Sequence, residues 1–247
     1  MNLSINEASL FVHKLDGLVR NHPDVEVVLA PTMLALQPVH LQVQHHHFDL
    51  AAQNFYWRDH GAYTGEVSAS QLRGIVKYAL VGHSERRHVF GEPNRDIRHK
   101  VQAAFRNQII PVLCVGETAS ERADGETNDV LHDQLVGGLA NITSEEAEHL
   151  VVSYEPVWAI GTGKSATPGD VEKAIRAIRS QVRYLFGDKA ARKLRVLYGG
   201  SITVDNAKSF LTAKGVDGLL VGGASLDAHG FAEIIKKSYG DKVVAKK

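Results

Sequence analysis

The chain has 247 residues, of which 44% are hydrophobic and 23% are charged. These values are ordinary for a globular protein with a substantial core, so we expect one domain that spans residues 1–247. Lysine plus arginine and aspartate plus glutamate both number 28, and this balance argues against a nucleic-acid-binding protein. The single cysteine, Cys114, cannot form an internal disulfide and fits a reducing compartment.

The first residues contain no apolar block behind a basic one, so the sequence predicts no signal peptide. No run approaches the ~20 apolar residues that a membrane-spanning helix needs. We therefore expect a cytoplasmic protein that does not contact a membrane.

The chain opens on a predicted helix. Ser4 and Glu7 have the spacing of a capping box, in which each side chain accepts a hydrogen bond from the backbone amide of the other residue. Apolar residues then recur at helical spacing, at Ala8, Phe11, Val12, Leu15, Leu18 and Val19.

Seven short apolar runs follow, and such runs are typical of parallel strands that are covered on both faces. They span residues 25–31, 48–54, 78–84, 109–117, 150–156, 194–200 and 218–225. Most are separated by amphipathic stretches, of which residues 170–186 show the clearest apolar face. This alternation predicts an α/β fold, either an open doubly wound sheet or a (βα)8 barrel.

Polar residues and glycines stand where the apolar runs end. Parallel βα folds place their active sites at this edge of the sheet. Each residue alone can simply mark the point where a strand meets solvent, but their recurrence after successive strands favours a functional site. They are Asn54, His83, Glu117, Glu155, Ser201, Gly222 and Gly223.

His83 stands between a strand end and a predicted helix start. The positive end of the helix dipole disfavours an imidazolium there, so a neutral ring can donate a hydrogen bond to a substrate oxygen. The alternative is a histidine that only caps the helix. The charged residues that follow, from Glu85 to Arg87, can equally form a salt-bridged helix face.

Glu155 ends its strand because Pro156 has no amide proton to continue the pairing. Val157, Trp158 and Ile160 offer an apolar wall, and desolvation by such a wall would make the carboxylate a stronger base. The glycines at 161 and 163 add backbone freedom, so the segment is interpreted as a lid. The alternative is an ordinary loop between a strand and a helix.

Two glycine pairs follow the last two strands, in the segments YGGS and VGGAS. Glycines let backbone amides approach an anion closely, and helix N-termini favour phosphate. This position matches the usual phosphate site of (βα)8 barrels, so the ligand is predicted to be a small phosphate ester.

Six segments, in this order and spacing, resemble the triosephosphate isomerase family over nearly the whole chain. They are GAYTGEVS, VGHSERR, PVLCVGE, YEPVWAIGTGK, YGGSI and LLVGGASL. The resemblance implies a (βα)8 barrel that interconverts dihydroxyacetone phosphate and glyceraldehyde 3-phosphate without a cofactor or metal.

The resemblance also implies the roles of individual residues. Glu155 would be the base that moves the proton, and His83 the neutral group that polarises the carbonyl, with Ser84 and Glu85 supporting it. Residues 157–164 would be the lid. The phosphate would bind Gly161, Ser201, Gly222 and Gly223, and the loop around Tyr63 and Thr64 would enter a partner subunit, which implies a homodimer.

One departure from the family pattern concerns its first strand, which ends in an asparagine and a substrate-facing lysine. The sequence lacks this strand and both residues, and neither Lys164 nor Lys193 offers a substitute. We therefore expect a barrel without its first strand that is a poor or poorly stable isomerase. The preferred explanation is that Met1 is an internal methionine and that ~12 more residues precede it.

Three alternatives remain open from the sequence. A sugar-phosphate epimerase or an indole-forming lyase would share the phosphate site, but would not be expected to combine VGHSERR with YEPVWAIGTG. A non-catalytic relic would bind a phosphate ester without turnover. His45, His46 and His47 could bind a metal, but adjacent histidines more often belong to a solvated loop. Cys114 is interpreted as a packing residue.

Overall fold

The computed structural model describes residues 1–19, 24–43, 47–160 and 165–239. Within these ranges, seven strands form one parallel sheet whose spatial order follows the chain. The strands are β1 (Val27–Leu29), β2 (Phe48–Ala52), β3 (Tyr78–Val81), β4 (Ile110–Val115), β5 (Val151–Tyr154), β6 (Arg195–Tyr198) and β7 (Gly218–Leu219).

Helices connect successive strands and cover the outer face of the sheet. The longer ones are α1 (Ile5–Leu18), α2 (Met33–Val43), α5 (Asn94–Arg106), α7 (Thr127–Leu139), α9 (Pro168–Phe186) and α12 (Ala228–Lys237). The shorter ones are α3 (Ala69–Leu72), α4 (Ser84–His88), α6 (Ala119–Ala123), α8 (Ser144–Ala147), α10 (Asp188–Lys193) and α11 (Ala207–Leu211). Two 3-10 turns lie at Val157–Ala159 and Gly223–Leu226.

The predicted first helix is confirmed, together with its start. Ser4 is the N-cap of α1, its amide donates to Glu7 Oε2 at 2.7 Å, and the Glu7 amide donates to Ser4 Oγ. This reciprocal pair satisfies two amides that have no partner inside the helix. The buried face of α1, which includes Val12 and Leu15, packs against α2 and α12.

The seven predicted strands are also confirmed, although β7 is shorter than its apolar run. Its last residues, including Gly222 and Gly223, leave the sheet because glycines favour turns over strands. The sheet curls into a half-barrel, and among the described residues β1 and β7 do not pair with each other. The prediction of an α/β barrel fold that lacks its first strand is therefore confirmed.

The concave face of the sheet forms a small apolar cluster that is separate from the helix-covered core. Its buried members are Ala51, Tyr78, Val112 and Val151, and partly exposed residues such as Val28 and Leu197 pack against them. Side chains alternate between the two faces of a strand, so Cys114, Ser153 and Glu155 lie on this same concave side.

A charged cluster joins four strands at their N-terminal ends. Lys77 donates to Glu26 Oε1 at 2.5 Å and to Asp49 Oδ2 at 2.8 Å. Arg195, at the start of β6, contacts Glu26 Oε2 at 2.6 Å, and the Tyr78 hydroxyl donates to Glu26 Oε1 at 2.7 Å. Glu26 directly precedes β1, so it links that edge strand to β3 and β6.

This charged cluster makes the free energy of unfolding depend on pH. Burial alone would raise the pKa of Glu26, but its hydrogen bonds, from Lys77 first, lower it from 4.5 to about 2. A lowered folded-state pKa adds stability above pH 4.5 that is lost as the pH falls towards 2. Burial raises the pKa of Asp49, which opposes part of this gain.

We expect Glu26→Gln to lower the free energy of unfolding by roughly 1–2 kcal/mol at pH 7, after allowance for solvent screening. The difference from wild type should shrink between pH 4.5 and pH 2, because the wild-type carboxylate is then protonated. Urea unfolding across this range measures it, with exposed Glu233→Gln as the control. A difference that does not change with pH would contradict the assignment.

Candidate active site

The sequence-predicted site residues follow strands that run parallel, so they lie at one edge of the sheet. His83 follows β3 and is the N-cap of α4, Glu155 follows β5, and Ser201 follows β6 after two glycines. Gly222 and Gly223 follow β7 at the start of a 3-10 turn.

His83 and Glu155 meet although they are far apart in the chain. His83 Nε2 lies 3.5 Å from Glu155 Oε1, and the Ser84 amide donates to Glu155 Oε2 at 2.9 Å. The Glu155 side chain is only 1% exposed, whereas His83 is 29% exposed. A buried carboxylate therefore stands next to an imidazole that solvent or a ligand can reach.

The hydrogen bonds of His83 define its tautomer. The Glu85 amide donates to His83 Nδ1 at 3.3 Å, so Nδ1 is the unprotonated nitrogen of a neutral ring. The proton then resides on Nε2, which faces Glu155. The predicted helix-capping alternative describes this geometry correctly, and the capping contact itself orients the ring.

Glu85 contacts His83 mainly through its backbone amide and less through its side chain. Its carboxylate is 77% exposed and lies 4.0 Å from His83 Nδ1. The predicted salt-bridged face is present only in part, since Arg86 contacts Glu92 Oε2 at 2.6 Å while Arg87 turns towards the sheet.

The surroundings of Glu155 differ from the predicted apolar wall. The Trp158 indole donates to Glu117 instead, at 2.8 Å. Glu155 packs against Gly199, where an added Cβ would lie 2.9 Å from Glu155 Cγ, and its backbone leaves no room for a side chain at Gly116. Among the described residues Glu155 Oε1 has no hydrogen-bond partner.

Cys114 is fully buried, which confirms that it is a packing residue. Burial raises the pKa of its thiol well above the ordinary value, and the Glu155 charge adds to this effect. The thiol therefore stays neutral next to the carboxylate.

Glu117 is a site residue to which sequence reasoning assigned no role. Its side chain is 0% exposed, and both of its oxygens accept from the Tyr154 hydroxyl at 3.1 Å. The Trp158 indole also donates to Oε1, and Arg122 Nη1 lies 3.5 Å from the same oxygen, with its guanidinium 4.1 Å from the Trp158 ring. The only sequence signal was its place at a strand end, which gives no partner. Glu117 anchors the first turn of the predicted lid.

The predicted phosphate-binding residues are only partly described. Ser201 lies in a bend where its carbonyl accepts from the Asn206 side chain, and a Cβ added at Gly222 or Gly223 would meet no atom within 4 Å. Gly161 and Lys164 fall outside the described residues, with the rest of the lid tip. Lys193 pairs with Glu148 between outer helices, which confirms that it does not replace the missing lysine.

Asn54 stands apart from His83 and Glu155 in its contacts. Its side chain accepts from Lys100, which is buried and also contacts Glu92, each at 2.7 Å. Asn54 thus belongs to a structural cluster that secures α5 to the end of β2.

The remaining predictions concern metal, membrane and partner contacts. His45 and His46 lie outside the described residues; within the described ranges no three His, Cys, Asp or Glu side chains are grouped to hold a metal. None of the described helices has the length and apolar character needed to cross a bilayer. Tyr63 and Thr64 are exposed, and the Tyr63 ring centroid lies 4.6 Å from that of Tyr56.

Comparison with known proteins identifies the family. The family model described as triosephosphate isomerase matches residues 1–238. The triosephosphate isomerase of Carboxydothermus hydrogenoformans is 45% identical over 94% of this chain and 93% of its own, and that of Chloroherpeton thalassium is 43% identical over 95% and 93%. That of Clostridium perfringens is 41% identical over 95% of both chains. The chain therefore belongs to the triosephosphate isomerase family, as its motifs predicted.

Proposed function

We propose that this chain interconverts dihydroxyacetone phosphate and glyceraldehyde 3-phosphate. The observation that carries the proposal is the 3.5 Å contact between His83 Nε2 and Glu155 Oε1 at the edge of the sheet. It brings a buried base and a neutral hydrogen-bond donor to adjacent positions, as an aldose–ketose isomerisation requires.

In the proposed reaction Glu155 removes a proton from the hydroxyl-bearing carbon next to the carbonyl and returns it to the former carbonyl carbon, while the hydroxyl proton passes to the former carbonyl oxygen. His83 donates from Nε2 to the substrate oxygen on which negative charge develops in the enediolate. This division of roles is the one known for the family. The bond between the Ser84 amide and Glu155 holds the carboxylate near the imidazole, and it must be exchanged when the carboxylate moves to the substrate carbon.

The phosphate group is assigned to the loops after the last two strands. The proposal places it on the backbone amides of Gly222 and Gly223 and on Ser201, with Gly161 closing from the lid. The position of Gly222 and Gly223 at the start of a 3-10 turn after the last strand supports this assignment, because backbone amides in such a turn can converge on an anion.

The test is isomerisation in both directions by the purified chain, assayed together with His83→Gln and with binding of the substrate phosphate ester. Turnover that the substitution lowers by about 10²-fold or more supports the assignment. Binding without turnover would favour the non-catalytic alternative instead.

We also propose that the protein is a cytoplasmic homodimer. A buried, unpaired cysteine fits a reducing compartment. The exposed loop of Tyr63 and Thr64 is the proposed dimer contact, and the exposed, adjacent apolar residues Val89 and Phe90 offer further surface for a partner.

Thr64→Arg should weaken the proposed dimer, because it buries an unpaired charge in the interface. We expect the dissociation constant to rise by about 100-fold, corresponding to ~3 kcal/mol. Analytical ultracentrifugation over a range of protein concentrations measures this. Tyr184→Arg, at an exposed position on α9, is the matched control. Equal dissociation of both variants, or a wild-type monomer, would refute this contact.

A further inference from the structure

Arg87 is a cation that the proposed reaction leaves without a role. It lies on α4, four residues after His83, and its side chain points towards the sheet instead of joining the charged face of Arg86 and Glu92. Among the described residues Arg87 pairs with no carboxylate.

All three guanidinium nitrogens of Arg87 donate to neutral oxygens on different elements. Nε donates to the Gly82 carbonyl at 2.7 Å, Nη1 to Asn94 Oδ1 at 2.7 Å, and Nη2 to the Cys114 carbonyl at 3.0 Å. These contacts join the end of β3, the start of α5 and the end of β4. Gly82 is the residue before His83, so Arg87 holds the peptide that carries the imidazole.

The contact with Gly82 is close enough to restrict the backbone. Gly82 has a φ of +70°, and an added Cβ would lie 2.9 Å from Arg87 Nη2 and 3.0 Å from Ile97 Cδ1. The guanidinium therefore packs directly against the backbone of the residue that precedes His83. A shift of this peptide would move His83 Nε2 relative to Glu155.

The charge of Arg87 acts on the same site. Burial of the guanidinium lowers the pKa of Arg87, while the carboxylates of Glu155 and Glu92 oppose this lowering. A cation whose hydrogen bonds go only to neutral groups keeps its field available to nearby charges. The anions nearby are Glu155 in the resting enzyme and, on the proposed function, the enediolate.

We propose that Arg87 is a positioning residue for the isomerisation, which fixes the His83 peptide through three hydrogen bonds and supplies a positive charge to the site. This inference rests on the proposed function. Arg87 does not touch the substrate in this assignment, so its loss should affect kcat and leave KM nearly unchanged.

The experiment compares Arg87→Ala with wild type in the isomerisation assay, so wild-type turnover tests the proposed function separately. We expect kcat to fall by about 10- to 100-fold, since a displacement of ~1 Å can cost that much. Arg95→Ala is the control, because Arg95 is exposed and its only ion pair among the described residues is with its neighbour Asp96. The control should retain wild-type kcat.

Chemical rescue then separates charge from simple packing. Guanidinium and urea are similar in size and planar shape, but only guanidinium is charged. At matched ionic strength and far below denaturing concentrations, guanidinium should restore part of the kcat of Arg87→Ala and urea should not. Arg87→Lys keeps the charge but cannot make the three hydrogen bonds of the guanidinium, so its kcat should be intermediate. This variant replaces Arg87→Ala in the comparison if the alanine variant does not fold.

Three kinetic results would overturn the inference. They are an unchanged kcat in folded Arg87→Ala, a loss of kcat that neither guanidinium nor urea restores, and equal rescue by urea. The ¹⁵N spectrum of the His83 ring provides a second readout. We expect the signals of the Nε2-protonated tautomer in wild type and a shift of these signals in Arg87→Ala, and unchanged signals would contradict the positioning role.

Discussion

Glu155→Gln should lower kcat for isomerisation by about 10³-fold and at the same time make the protein more stable. The amide cannot accept a proton from carbon, and general acid–base catalysis contributes 10²- to 10⁴-fold in typical cases. The substituted side chain can still accept the hydrogen bond from the Ser84 amide, so the local structure should be retained. KM should change little, because most of the proposed phosphate contacts lie on the loops after β6 and β7.

The gain in stability follows from the burial of the carboxylate. Glu155 is 1% exposed, and Oε1 has no hydrogen-bond partner in the described part of the chain. The Ser84 amide and the nearby His83 Nε2 offset only part of the cost of burying this charge, so replacing the carboxylate by a neutral amide should raise the free energy of unfolding by roughly 1–2 kcal/mol. Urea unfolding measures this change.

Glu233→Gln is the matched control for Glu155→Gln, because it removes the same charge from an exposed helix position. It should alter neither kcat nor stability by a measurable amount. If Glu155→Gln kept more than a tenth of wild-type kcat, Glu155 would not be the base. If it unfolded at lower urea than wild type, the carboxylate would be stabilised in a way that its contacts do not reveal.

Glu117→Gln should be the most destabilising of the substitutions considered. Both carboxylate oxygens accept from the Tyr154 hydroxyl, and Oε1 also accepts from the Trp158 indole. Burial and the Glu117 charge raise the pKa of Tyr154, so the phenol remains a donor. An amide would turn an NH₂ group towards these donors and leave one of them unsatisfied. We expect a loss of about 3 kcal/mol in the free energy of unfolding.

The same substitution should also affect the lid. Trp158 lies in the 3-10 turn that follows Glu155, and its indole would lose its acceptor. We therefore expect a change in Trp158 fluorescence together with a reduced kcat, since the turn orients the chain that enters the lid. Trp57→Phe removes the other tryptophan, so that the emission comes from Trp158 alone.

Glu121→Gln controls for the loss of a carboxylate in the same segment. Glu121 takes part in the capping box of α6 with Thr118 and is not buried. It should cost no more than ~1 kcal/mol, because glutamine can also complete a capping box. Equal urea midpoints for Glu117→Gln and wild type would contradict the anchoring role of Glu117.

The sequence by itself determined the elements whose cause is local. The capping box of α1 depends on two residues three positions apart. The apolar periodicity of α9 predicted one face, and all of its residues except Leu185 are buried: Val171, Ala174, Ile175, Ile178 and Val182. The alternation of strands and helices predicted an α/β fold and left a doubly wound sheet and a barrel as alternatives, and the motif resemblance favoured the barrel. The motif resemblance was enough to predict the family, which the comparisons confirmed.

Tertiary structure alone decided which side chains meet. The Ser84 amide and Glu155 are 71 residues apart, and no periodicity fixes the distance between the ends of β3 and β5. Trp158 was expected beside Glu155, but it turns to Glu117, because a buried carboxylate needs donors and the indole supplies one.

The arginines of α4 show the same limit. Arg86 and Arg87 are neighbours of equal charge, so composition treats them alike. Successive helix positions point about 100° apart, and this rotation sends Arg86 to Glu92 and Arg87 to the Gly82 and Cys114 carbonyls. Sequence patterns predicted which residues lie at the edge where the strands end. The packing of the strand ends against α5 decided which of these residues contact the segments that carry His83 and Glu155.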